Sequence, residues 1–216
     1  MIIVRYADDL VVGFEHEDDA QRFWDAMRER VQEFSLSLHP EKTRLFEFGR
    51  HAATNRKQRG LGKPETFKFL GFIFICGKSR RGRFLLKRKS RGDRMRAKLK
   101  EIKMELRWRM HRSIPEQGKW LRQVVTGFFA YHAVPTNSRA HCAVRYHVTD
   151  LWRRSLRQRS QKDRTTWERI TQLVDDFLPN PRVLHPWPNV RLAVKHPRWE
   201  PSARIGPARI CAGGTQ

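Results

Sequence analysis

Two adjacent acids near the start of the chain, Asp8 and Asp9, are the residues best placed to do chemistry. Neighbouring carboxylates repel, so holding both at a tight turn is costly unless cations neutralise them. Magnesium suits such a pair, because hard oxygen ligands bind a small divalent ion that also retains waters and substrate phosphates, as in two-metal phosphoryl transfer. The bland alternative is an ordinary turn with solvated aspartates. What must position the acids is the flanking sequence. Ile2-Ile3-Val4-Arg5-Tyr6 and Leu10-Val11-Val12-Gly13-Phe14 are rich in β-branched and aromatic residues, which predicts a β-hairpin with Ala7, Asp8 and Asp9 at its tip.

The charge balance narrows the partner. Among 216 residues, 45 Lys and Arg face 22 Asp and Glu, a net charge of +23, so a polyanion is expected and nucleic acid is favoured over membrane. No apolar run approaches the roughly 18 residues of a spanning helix. The first residues alternate into a strand and then reach acids, unlike a secretory signal. Cys76, Cys142 and Cys211 form no CxxC pair, which speaks for a reducing, cytoplasmic setting without a zinc site or disulfide framework.

After the hairpin, Ala20, Phe23, Trp24, Met27, Val31 and Phe34 recur at helical spacing and predict an amphipathic helix laid on the sheet. Glu15, Glu17, Asp18 and Asp19 favour its N-terminus through the helix dipole, reason enough for their presence. A Pro40-marked turn leads to a strand over 43–48, and the basic stretch 49–64 reads as a loop. The dense apolar run 66–76 reads as a strand covered on both faces, with Gly71 marking a bulge or a close backbone approach. A return strand is expected over 83–87. From about Arg91 the period changes to 3.6. One helix carries Met95, Leu99, Ile102, Leu106 and Met110. The next begins at a capping box, Ser113 with Glu116, and buries Trp120, Leu121, Val124, Val125, Phe128 and Phe129. A third carries Val144, Val148, Leu151, Trp152 and Leu156. Thr165 and Glu168 have capping-box spacing before a fourth stripe, Trp167, Ile170, Val174 and Phe177. Beyond Pro179 prolines accumulate and regular structure is disfavoured. The fold class expected is α+β: short antiparallel strands and a helix over 1–88, a basic helical bundle over 89–178, and an irregular Pro-rich tail over 179–216.

Tyr6 to Asp9, then Leu38-His39-Pro40-Glu41-Lys42-Thr43, then Phe67-Lys68-Phe69-Leu70-Gly71-Phe72 resemble the last three palm blocks of reverse transcriptases in order and spacing. Leu151 to Ser160 resembles the thumb or maturase region of group II intron-encoded proteins. The ending, from His185-Pro186-Trp187-Pro188 through Pro207, looks like the tail of bacterial members. The resemblance implies RNA-templated DNA synthesis on a DNA primer with Mg2+, together with folding and splicing of the parent intron RNA. It implies that Asp8 and Asp9 are palm carboxylates at the catalytic magnesium. Lys42 matches a lysine-bearing block beside the nucleotide, where a cation could stabilise leaving pyrophosphate, though a surface lysine after a turn would look the same. Phe69, Leu70 and Gly71 match the primer grip, and the two apolar side chains equally suit an ordinary core.

Complete members of that family carry fingers and a first palm half upstream, including a strand with a further metal-binding aspartate. This sequence starts at the hairpin, and Glu47 lies on an expected strand but in the wrong block, so the expectation is a catalytic centre that is incomplete in this chain alone. No paired cysteines support the metal-dependent endonuclease of some members. Three functions are therefore in view: the C-terminal part of a reverse transcriptase completed by another chain or segment, a non-catalytic splicing factor that binds structured intron RNA, or a decayed gene fragment. For the binding surface Arg96, Lys100, Lys103, Arg107, Arg153, Arg154 and Arg157 stand as representatives, holding phosphates collectively.

Overall fold

A computed structural model describes residues 1–159, 165–187 and, for the backbone only, 209–214. The chain divides into two compact units, the first Met1–Lys87 with the C-terminal stretch containing 209–214, the second beginning at Arg88. Among the described residues two small antiparallel sheets and six helices make it α+β, as the sequence predicts.

In the first unit, β1 (Ile2–Tyr6) and β2 (Asp9–Phe14) form the expected hairpin. Their register runs from Ile2 opposite Gly13 to Tyr6 opposite Asp9. Helix α1 (Glu17–Glu33) follows at once, its first turn carrying Glu17, Asp18 and Asp19 as the dipole favours. Its Ala20 meets Val12 and Phe14 in a small core, with Phe23, Leu10 and Leu45 packed around them. The stripe fades toward the helix end, where Phe34 is 62% exposed under the Arg30 guanidinium. Strand β3 (Arg44–Glu47) lies within the expected 43–48.

Three expectations change here. The stretch 49–64, read as a loop, contains helix α2 (Ala52–Gln58), seven residues with Ala52 buried beneath it. The apolar run 66–76 is two strands, β4 (Phe67–Phe69) and β5 (Phe72–Lys78), folded at Leu70-Gly71. Both turn residues have positive φ, +46° and +74°, as a two-residue hairpin turn of the right twist demands, so Gly71 is a turn residue and not a bulge. Strand β6 (Phe84–Ser90) extends the return strand by three residues and completes the sheet β4-β5-β6. Lastly, the tail read as irregular supplies β7 (Arg209–Gly214), which inserts between β2 and β3 antiparallel to both. Phe46, Phe48, Phe67 and Phe69 form the core between β3 and β4, with the Phe67 and Phe74 rings stacked 4.8 Å apart.

The second unit is a four-helix assembly of α3 (Gly92–Trp108), α4 (Ile114–His132), α5 (Ser138–Arg157) and α6 (Trp167–Phe177). The Ser113/Glu116 capping box forms in both directions. The α6 cap sits one residue later than expected, at Thr166, whose hydroxyl accepts from Arg169 N, while Thr165 is buried. The stripes converge on Ile102, Leu106, Leu121, Val125, Val148, Trp152, Ile170 and Val174. Trp152 is fully buried and its indole N–H donates to Gln117 Oε1 at 2.9 Å; Gln117 in turn donates to the Arg109 carbonyl at the end of α3. Helix α6 crosses α4 so closely at Gly118 that a Cβ there would lie 2.5 Å from the Phe177 ring. A second polar knot involves Ser90, His132 and Asn137. Asn137 donates to Ser90 Oγ at 2.7 Å, leaving the hydroxyl proton for His132 Nδ1 at 3.0 Å. Burial, then the nearby His141, pushes the His132 imidazole down to about 4, so it is neutral in this knot.

Candidate active site and nucleic-acid interface

The hairpin turn holds Ala7 and Asp8, and Asp9 opens β2. Ala7 takes φ +49°, a left-handed conformation costing roughly 1–2 kcal/mol for a residue with a Cβ. Arg5 offsets part of that cost by donating from Nε to the Ala7 carbonyl at 3.2 Å. Both carboxylates project from an exposed tip, and among the described residues neither is engaged by a side-chain hydrogen bond or ion pair. They are hard oxygen donors free to meet a divalent cation, so they suit magnesium in kind. Among the described residues no group of three His, Cys, Asp or Glu could hold a metal.

Glu47 is not free to join Asp8 and Asp9. It is buried on β3 and accepts a 2.5 Å hydrogen bond from Asn55 of α2, which fixes it as a structural carboxylate. It also helps burial raise the Cys76 thiol above its ordinary value. The strand beside β2 is β7, whose Gly214 and Gly213 pair with Asp9 and Leu10. No carboxylate lies within Arg209–Gly214.

Lys42 is exposed in the turn before β3, with its amide N–H bonded to the His39 carbonyl. Phe69, Leu70 and Gly71 sit at the β4–β5 turn, with Phe69 in the core and Leu70 packed against it. The turn therefore accounts structurally for both apolar side chains.

On α3, Arg96, Lys100, Lys103 and Arg107 recur at spacings of four, three and four, and all are exposed. They form one basic stripe beside the buried line of Ile102 and Leu106. On α5 the three candidates differ. Arg157 is exposed, Arg154 is largely exposed while reaching Asp150 at 2.7 Å, and Arg153 keeps 16% of its side chain exposed, pairing with Asp150 at 3.1 Å. Burial would raise the Asp150 carboxyl, but hydrogen bonds from Arg153 and Arg154 outweigh it and lower the pKa. The aromatic neighbours of these arginines were not among the sequence candidates. Arg153 lies over Trp167 at 4.7 Å, and Trp167 in turn stacks on Tyr146.

The hairpin tip offers two hard oxygen donors, and the exposed basic stripe of α3 offers cations to a polyanion. Residues 1–74 match the family model described as reverse transcriptase (RNA-dependent DNA polymerase), which supports a reverse transcriptase segment there. No curated protein and no solved structure matches the chain. Among the described residues no helix is long and apolar enough to cross a membrane.

Proposed function

We propose that this chain is the C-terminal part of a group II intron-encoded reverse transcriptase and maturase acting in the cytoplasm, with Asp8 and Asp9 as palm carboxylates. The observation that carries the reading is the acid-tipped hairpin within the segment that matches the reverse-transcriptase family. Magnesium held there would supply charge stabilisation to the transferring phosphoryl group. The chain's own residues then divide the work: Asp8 and Asp9 present the ligand oxygens, Lys42 offers a cation to leaving pyrophosphate, and the Phe69–Gly71 turn positions the primer end. The α3 stripe and the α5 arginines grip structured intron RNA through its phosphates.

Because the described residues place only two carboxylates at the tip, further ligands come from a complementary palm segment or chain. The test is RNA-templated primer extension with Mg2+, using this chain alone and supplemented with a palm segment carrying the additional aspartate, with Asp8→Asn in each. Extension is expected only in the completed protein and lost in the variant. A completed protein that is inert yet binds RNA would favour the second reading, a non-catalytic splicing factor, which the exposed α3 stripe supports. Replacing Arg96, Lys100, Lys103 and Arg107 with Gln is expected to flatten the salt dependence of RNA binding, by about 0.7 to 0.9 in log–log slope for each phosphate that the variant no longer neutralises.

A further inference from the structure

Several large aromatic side chains of the helical unit are exposed, Trp108, Tyr131 and Trp187 among them. Tyr146 of α5 and Trp167 of α6 stand out because they meet each other, being 59% and 43% exposed although Trp167 lies on the apolar stripe expected to be core. Their rings are 5.9 Å apart and 11° from parallel, the geometry of an offset stack. Tyr131, in contrast, meets the His132 ring edge-on.

Around this pair the charges are arranged for an anion. Tyr146, Asp150, Arg153 and Arg157 share one face of α5 by their spacing, and Arg153 caps Trp167. The nearby acids are mostly spoken for: Asp150 by Arg153 and Arg154, and Asp175 by Arg145 at 2.8 Å. Glu168 remains exposed, as does Arg169 beside it. Flat π surfaces bordered by arginines match a nucleotide, whose base offers a face and whose phosphates offer charge. In a duplex that face is covered by its neighbours, so the fit is to an unpaired base.

We infer that the Tyr146–Trp167 pair is a stacking platform for an unpaired nucleobase of RNA, an inference that rests on the RNA-binding reading of the helical unit. The platform gives that unit a way to distinguish bulged or looped RNA from plain helix, which phosphate contacts alone cannot do.

The experiment uses the full chain and two RNA hairpins of equal length, one with a bulged 2-aminopurine and one with that position paired. The bulged RNA is expected to bind about tenfold tighter, with quenched 2-aminopurine fluorescence, as one stacked base would give. Tyr146→Ala and Trp167→Ala should each erase the preference and the quench, while leaving the affinity for the paired hairpin and its salt slope unchanged. Tyr146→Phe and Trp167→Phe should retain both. Equal affinity for the two RNAs, or a preference that survives Tyr146→Ala, overturns the platform while leaving RNA binding intact. Alanine variants that lose thermal stability and weaken both hairpins equally show a purely structural pair and overturn it too. Failure of the unaltered chain to bind either hairpin in a salt-dependent way removes the RNA-binding reading and the platform with it.

Discussion

The two units spend their apolar residues differently. In the helical unit Trp152, Leu121, Val148 and Ile170 are sealed from water, and even its buried amide, Gln117, is fully hydrogen-bonded. In the hairpin unit the whole of β1 is exposed, with Ile2, Ile3 and Val4 at 71%, 53% and 45%, and the core is split into two small clusters, Val12 with Phe14 and Ala20, and Phe46 with Phe48, Phe67 and Phe69. Such an apolar edge strand is costly to leave bare. The difference teaches that the helical unit gathers its apolar residues into one sealed core, whereas the acid-bearing hairpin leaves an apolar strand exposed.

The largest effect that could break this comparison lies in the helical core. Trp152→Ala removes the central ring and leaves Gln117 Oε1 without its donor, and should cost about 3–5 kcal/mol in denaturant unfolding. A loss under about 1 kcal/mol would mean the bundle is not the stable half. Acid should act on the same unit through His132. Its folded pKa of about 4 lies below the ordinary 6.5, so its contribution is full above pH 6.5 and is lost as pH falls toward 4. At most that amounts to about 3 kcal/mol, and His132→Gln should flatten the stability–pH curve across this window. The Asp93 carboxyl, held down to about 2 chiefly by its hydrogen bond from Arg91, titrates below that window, whereas His141, also lowered by burial, adds to the loss within it. Smaller again is Gly118→Ala. The added methyl meets the Phe177 ring near its root, where rotation cannot relieve it, so α6 must shift at about 1–3 kcal/mol, measurable as a lowered Tm.

How far the sequence disclosed all this depended on whether a feature was local. The hairpin was readable because β-branched residues bracket its acids, and the α4 start because Ser113 and Glu116 satisfy one another three residues apart. Helix α2 was hidden because its seven residues bury only Ala52 and so show no stripe. The Leu70-Gly71 turn was hidden because apolar residues continue through it. Strand β7 was the hardest, since Ala212, Gly213 and Gly214 have little strand propensity and its partners β2 and β3 lie far back in the sequence. At the candidate site Asp8 and Asp9 could be found by type alone. The state of Arg153 could not, because its partners Asp150 and Trp167 are settled by how α5 and α6 pack.

The smallest stability effect expected is at the residue with the largest functional one. Asp8 is exposed on the turn, is engaged by no ion pair or side-chain hydrogen bond among the described residues, and stands beside a second carboxylate. Asp8→Asn relieves that repulsion without emptying any core, so unfolding should move by no more than about 0.5 kcal/mol, and in the stabilising direction at low salt. A core variant such as Trp152→Ala, in contrast, would lose activity by losing the fold. If Asp8→Asn abolishes extension in a completed polymerase while its unfolding curve overlays that of the unaltered chain, the carboxylate is held for chemistry. A marked loss of stability would instead make Asp8 part of the turn's architecture, and the hairpin unit would then resemble the helical one in spending its polar groups on its own fold.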